Sequence, residues 1–505
     1  MICIVYIVYT IHISYIVYIL HYYIYVIYFI YNILYRKYVY IKKINVITYI
    51  MKRGVSMLTS IGYHTFAISM NLMQEEADLL FKDFKKYRDN TNEICIIKKE
   101  YDIDPSARHY IIVYPNQEKG ISWKLRFSNR AFFINGEFMT CTIKAIINPK
   151  ILVGEKTYIV AATAAYLKEV EKIFNQEAEK ISLLLRKFHC YTLNRLDYCI
   201  NFDVSELILD YYHYSYPSEL KKELPKFIMK LIKNADIPEH FSEQYKDEFQ
   251  FYLKSNSVVI NCYWKYDDLN RNFSECQDLE SSQNIIRFEV QYKYPKVFKE
   301  LKDMKRRQER IRSILIQKRK KQEQGYCNSL ESYKDKNYSE LKQTQETWET
   351  IKNTPEKSTL IEDMLSDYKC METIHNYFYK VIKKGNYYTF EEAKRIIERD
   401  VSKWEKIVRL TNALKLIHQC GGIAKVKDSL QGKALEEFRM SLRDLAALRI
   451  NPVIIPKDWG ISYIPDLLGN YYDIKGEEDY KNKLSEGYIV DCKKHRKSKK
   501  KHLLK

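Results

Sequence analysis

No CxxC pair occurs among the eleven cysteines, which are scattered along 505 residues. That absence excludes a zinc ribbon or finger and a disulfide framework, and it fits a reducing cytoplasm. Acidic residues are the minority charge: 64 Asp and Glu stand against 83 Lys and Arg, a net charge of +19. The expected partner is therefore a polyanion, of which nucleic acid is the commonest. No internal repeat is found, which excludes a solenoid or propeller. The chain is too long for one compact domain, and two or three are expected.

The N-terminal stretch has its own absences. It contains no Asp, Glu, Lys or Arg before Arg36, and no Ala or Gly either. Its length and apolarity suit a transmembrane helix, with Arg36, Lys37, Lys42 and Lys43 as basic flanks. Its tyrosines, however, run through the middle, where their hydroxyls would lie unpaired in hydrocarbon instead of gathering at the interfaces. Ile, Tyr and Val are what AT-rich codons encode. The expectation is an upstream extension over 1–56, with Met51 or Met57 as the working start. A membrane-anchored basic protein is the competing reading.

From Met57 the pattern is globular. Leu72–Tyr87 and Ala161–Phe188 have apolar residues at helical spacing, while Tyr110–Tyr114, Ser122–Phe127 and Met139–Ile147 read as strands. The stretch LNRLDYCINFD (Leu193–Asp203) alternates, with Leu196, Tyr198, Ile200 and Phe202 on one face and Arg195, Asp197, Cys199, Asn201 and Asp203 on the other. A helical insertion near Pro217–Asn234 follows. Phe249–Lys265 then reads as two strands turning at Lys254–Asn256, with Asn261, Tyr263 and Lys265 on one face. Asn284–Lys293 alternates too, presenting Arg287, Glu289, Gln291 and Lys293. Val297–Gln324 is a basic helix carrying Arg306, Arg307 and Arg310, which could follow a phosphate backbone. Further on, Thr389-Phe-Glu-Glu392 has the form of a capping box, and Gly421-Gly422 that of a helix end. The expected division is a catalytic domain over 57–296, a basic helix and polar linker over 297–358, a helical domain over 359–470 and a basic tail over 471–505.

Side by side in one sheet, the three polar faces would gather Asp197, Glu289, Tyr263 and Lys265. Such a set suits metal-assisted attack by a tyrosine on a phosphodiester. Carboxylates hold a hard cation such as Mg²⁺ or Mn²⁺. The cation stabilises developing charge, the tyrosine forms the covalent intermediate, and the lysine steadies phosphate or phenolate. On spacing alone, a solvated sheet face with ordinary cross-strand ion pairs is the stronger reading.

Taken in order, LNRLDYCINFD, VVINCYWKYDDL and NIIRFEVQYKY resemble phage and plasmid rolling-circle replication initiators. The likeness is to the replication initiation factor families, of plasmid trans-acting Rep type and filamentous-phage gene II/X type. Arg195-Leu196-Asp197 matches the R-[IL]-D strand of those proteins, and Arg287-Phe288-Glu289 their [LI]-R-[FI]-E strand. Tyr263-Trp264-Lys265 departs from Y-D-K by its tryptophan, which leaves Tyr252 and Tyr266 as alternative nucleophiles. The resemblance covers about Met57 to Leu468. It implies an α+β fold, an antiparallel sheet flanked by helices of the nicking-endonuclease kind, with a C-terminal helical domain. It also implies site-specific nicking and joining of single-stranded origin DNA: a 5′-phosphotyrosine link forms and a free 3′-OH primes synthesis. Tyr263 would be the nucleophile, Lys265 its helper, and Asp197 and Glu289 the ligands of Mg²⁺ or Mn²⁺. Arg195, Arg287, Lys293, Arg306, Arg307 and Arg310 would contact DNA, and the host helicase and polymerase would be partners. No His-hydrophobic-His triplet occurs, so His189 and then His109 are the histidines to test as ligands. A non-catalytic DNA-binding replication or transfer accessory protein is the reading from another class.

Overall fold

The computed structural model describes residues 61–469 apart from 100–107, 116–118, 135–136, 156, 206, 208–217, 273–276, 308 and 311–359. The expected N-terminal extension, polar linker and basic tail lie outside the described residues. Residues 1–57 and 58–505 separate as two units. Among the described residues, no helix is long and apolar enough to cross a membrane.

The protein is α+β. Its ten-stranded sheet comprises β1 (Ile61–Leu72), β2 (Cys95–Lys99), β3 (His109–Val113), β4 (Ile121–Ile134), β5 (Glu137–Ile147), β6 (Thr192–Asp203), β7 (Ser242–Lys246), β8 (Gln250–Lys254), β9 (Val258–Trp264) and β10 (Ile285–Tyr292). The order is β2-β3-β4-β5-β1-β6-β10-β9-β8-β7, and every neighbouring pair is antiparallel. Thus β6 is central, with β1 on one side and β10 on the other.

Period-two alternation sorts the sheet into two faces. Trp123, Leu125, Phe66, Ile68, Leu196, Tyr198, Ile200 and Phe288 are buried on one face. Helices cover it: α1 (Gln74–Thr91) and α2 (Leu167–Ile181) bring Phe84 and Phe174 against Trp123, with ring centroids at 6.5 and 5.3 Å. Beyond α3 (Ser218–Ile232), α4 (Lys265–Asn272) and a helix over 294–307 (α5), α6 (Asp367–Val381) lies across the central strands. There Phe378 packs on Phe202 and Phe288, and the Tyr198 hydroxyl donates to the Met364 carbonyl at 2.8 Å. α7 (Phe390–Asp400), α8 (Trp404–Cys420) and α9 (Gly432–Ala447) add a smaller core of Ile397, Leu410, Leu414 and Leu445. Gly421 closes α8 at φ 70°. Thr389 precedes α7 as expected, but its side chain makes no capping hydrogen bond.

Two expectations are corrected. The helix expected over Ala161–Phe188 is confined to Leu167–Ile181, after a single 3₁₀ turn at Ala164–Tyr166. Ala162 is instead extended, because its backbone exchanges hydrogen bonds with Tyr63 (2.9 and 3.0 Å), fixing residues 157–163 as a strap across the end of β1. Lys265, expected on the β9 strand face, is the first residue of α4. β1 itself was not anticipated, although Phe66, Ile68, Met70 and Leu72 alternate cleanly.

The strap leaves no room beside Gly62, where a Cβ would stand 2.0 Å from the Ala162 carbonyl oxygen. Overpacking against backbone costs about 1–3 kcal/mol. Gly62→Ala should therefore lower the urea midpoint by that equivalent without changing the m-value.

Candidate active site

On the opposite face of the sheet, register assembles the polar residues. Arg287 lies between Asn201 of β6 and Tyr263 of β9, Glu289 between Cys199 and Asn261, and Gln291 between Asp197 and Val259. Asp197, Glu289 and Tyr263 thus share one patch, as the sequence faces required. This face is not a solvated one. Asp197 is 3% exposed, Tyr263 7%, and Asn201 and Arg287 not at all.

Tyr263 donates its hydroxyl hydrogen to Glu289 Oε1 at 2.9 Å. Burial, and then the Glu289 charge, hold the phenol well above its usual range. Glu289 is raised above an ordinary carboxylate chiefly by burial; Arg287 opposes the shift and Asp197 adds to it. Arg287 donates Nε–H to Asn201 Oδ1 at 2.7 Å and Nη2–H to the Tyr158 carbonyl at 2.6 Å. Its Nη1 is 3.6 Å from Glu289 Oε1 and makes no hydrogen bond. Burial works against the Arg287 charge, but Tyr263, Cys199 and Glu289 more than offset it and its pKa rises. Lys265 is 3% exposed, donates to Asp268 Oδ2 at 2.6 Å, and lies 5.6 Å from the Tyr263 ring centroid. Burial, followed by Arg287, lowers its ammonium pKa.

Asp197 is held by its own strand neighbour. Arg195 donates Nε–H to Oδ1 at 2.9 Å and Nη2–H to Oδ2, which also accepts from the Thr65 hydroxyl. Lys293, just after β10, donates to the Ser255 carbonyl at 2.8 Å. Arg306, Arg307 and Arg310 are exposed in the basic helix, with Arg306 3.8 Å from Asp303. Of the alternative tyrosines, Tyr252 sits opposite Asn261 on the same face, while Tyr266 packs on Trp264 in α4. His189 is exposed in the turn before β6, and His109 lies on β3, far across the sheet.

Sequence reasoning missed His64. An irregularity in β1 between Tyr63 and Thr65, opposite Tyr198 and Asp197, admits it beside the patch. Its Nε2 is buried without a hydrogen-bond partner. Burial, then Arg287, Lys265 and Arg195, push its pKa well below 6.5, so the imidazole is neutral. Nothing local in YHTF announces the irregularity, which only cross-strand pairing reveals.

A divalent cation finds no ready cage here. Among the described residues, no group of three or more His, Cys, Asp or Glu is placed to hold a metal. Both oxygens of Asp197 already accept hydrogen bonds, whereas a hard cation takes six or so oxygen ligands. As arranged, the donor set does not fit such an ion.

No family model matches the chain, and no curated protein does. Among solved structures it is similar to a rolling circle replication initiator protein from Geobacillus stearothermophilus. The identity is 8%, covering 47% of this chain and 76% of that one, with a TM-score of 0.21. A likeness at that level carries no functional argument, which has to come from the site.

Proposed function

We propose that the chain is a rolling-circle replication initiator that nicks and rejoins single-stranded DNA through Tyr263. The observation that carries this reading is the 2.9 Å hydrogen bond from the Tyr263 hydroxyl to Glu289, set beside two cationic side chains. A nucleophile within hydrogen-bond reach of a base, with the base oriented by a third group, is the arrangement covalent catalysis needs. Here Glu289 takes the phenolic proton as the Tyr263 oxygen bonds to phosphorus. The P–O3′ bond breaks, the 3′-oxygen gains a proton from water, and a 5′-phosphotyrosine remains. Arg287 and Lys265 face the charge that develops, the role in which preorganised electrostatics act most strongly. Entry is from the side of Glu289, which keeps 17% of its side chain exposed while Arg287 keeps none. A free 3′-OH is what a polymerase would extend, with a helicase opening the duplex ahead. Asp197 and Glu289 are the residues that would hold Mg²⁺ or Mn²⁺, but with Arg195 on both oxygens of Asp197 no step is routed through the ion.

The mutual satisfaction of Arg195 with Asp197 favours a second reading, in which the patch is structural and the protein binds DNA without cutting it. A randomised, 3′-labelled single-stranded DNA pool, incubated with Mn²⁺, Mg²⁺ or EDTA, separates the two. The expected result is label that survives SDS on the protein, and the EDTA arm reads whether a metal takes part. Adduct unaffected by EDTA removes the metal alone, and no adduct under any condition removes the enzyme.

A further inference from the structure

The polar face of the sheet does not end at the catalytic patch. We infer that its other half, on β2 to β5 and β1, carries the phosphate backbone of single-stranded DNA toward Tyr263. The choice of DNA as occupant rests on the nicking reading.

Register lays out two adjacent rows across this half. One runs Ile97, Ile111, Lys124, Lys144, Ser69 and Thr192, each directly opposite the next. The other runs Lys99, His109, Arg126 and Thr142. Neither row contains an Asp or Glu. None of Lys124, Arg126 and Lys144 has a carboxylate ion-pair partner among the described residues. Like charges directly opposite one another destabilise a sheet, yet Lys124 faces Lys144. A bound polyanion turns that repulsion into attraction.

The cations are also aimed. Lys144 donates to Asn194 Oδ1 at 2.7 Å, and Asn194 donates to Ser69 Oγ at 3.3 Å, which ties the row to β6 beside Arg195. Burial, then Arg195 and Lys124, lower the Lys144 amine to about 8. Exposure falls along the path: Lys124 and Arg126 are exposed, Lys144 and Arg195 half-buried, and Asp197 buried. The surface therefore slopes inward from open cations to the tyrosine. Ile97, 45% exposed, and Ile111 lie at the outer end, where unstacked bases can rest. A duplex has no free base faces to place there.

The test is fluorescence anisotropy of labelled oligo-dT on the full chain over a salt series. Each phosphate contact contributes about 0.7 to the slope of log affinity against log salt for single strands. The double variant Lys124→Ala/Lys144→Ala should bind more weakly, with a slope shallower by about 1.4. Lys124→Arg/Lys144→Arg should restore the parent slope, and Lys394→Ala/Lys433→Ala, on α7 and α9, should keep it. An unchanged slope in a double alanine variant that melts like the parent overturns the inference. So does duplex DNA that competes as well as the single strand. A shallower slope without any SDS-resistant adduct leaves the DNA track standing and removes the nicking reading. Adduct formation with an unchanged slope does the reverse.

Discussion

Tyr263→Phe protein will retain salt-sensitive binding to single-stranded DNA but yield no SDS-resistant adduct, a fall of at least about a thousandfold, as expected when a nucleophile is removed. The substitution takes away one oxygen and leaves the ring in its place between Gln250 and Arg287. Glu289 Oε1 loses its 2.9 Å donor, but Arg287 Nη1, already 3.6 Å away, is available to close on it. The loss of stability should therefore stay within the ~1–3 kcal/mol of an unsatisfied buried acceptor, and thermal melting will show whether it does. Tyr252→Phe and Tyr266→Phe are the controls and should both keep the adduct. Adduct that persists in Tyr263→Phe and vanishes in Tyr252→Phe would reassign the nucleophile to β8 and leave the reaction class untouched.

Arg287→Ala should be the most damaging single change in the sheet, costing about 3–5 kcal/mol in urea unfolding, the range for breaking one side of a buried ion pair. Two acceptors lose their donor together, Asn201 Oδ1 and the Tyr158 carbonyl, and the Glu289 carboxylate loses the cation that faces it. The strap over the end of β1 loses its anchor to β10 in the same step. A pH signature accompanies the loss. Burial already raises the Glu289 carboxyl above its unfolded value, against the pull of Arg287. Between the two values the folded state holds the extra proton, so stability falls as pH rises through that window. Without Arg287 the folded value moves higher, and the pH-dependent loss should extend toward neutrality. Stability measured across the acidic range, parent against variant, checks both the sign and the displacement. A variant with parental stability and an unchanged profile would show that the guanidinium is not what holds the patch together.

The parts of this site that could be read from the chain are those governed by local alternation. LNRLDYCINFD and NIIRFEVQYK each show a two-residue period, which was enough to place Asp197 and Glu289 on one face. Depth could not be read the same way. Arg287 alternates like an exposed cation, yet it is wholly buried because Tyr158, 129 residues earlier, crosses over it. A long-range strap leaves no trace in the strand it covers. His64 and Thr65 were missed for a related reason: the break in register that turns them to the patch depends on their partners in β6. Lys265 was misplaced by one step, since a helix start directly after Trp264 carries the lysine into α4 while still burying it. The tryptophan that departs from the family pattern anchors that junction, donating Nε1–H to the Gln283 carbonyl at 2.7 Å and packing on Phe249.

The strand order has a consequence for how the chain comes off the ribosome. Strands β2 to β5 form one meander and β10 back to β7 another, each closable from nearby residues. The seam between them is β1 against β6, joining Ile61 to Ile200 and Phe66 to Leu196 across more than a hundred residues of chain. During synthesis β1 can pair with β5 long before β6 exists, and β6 must then wait for β10. Non-local pairings of this kind slow folding, and an unpaired edge invites association with other chains. Strands β6 and β10, which carry Asp197 and Glu289, are thus the last to be sealed, and nascent chains arrested before Tyr292 should expose an aggregation-prone edge that the finished sheet hides.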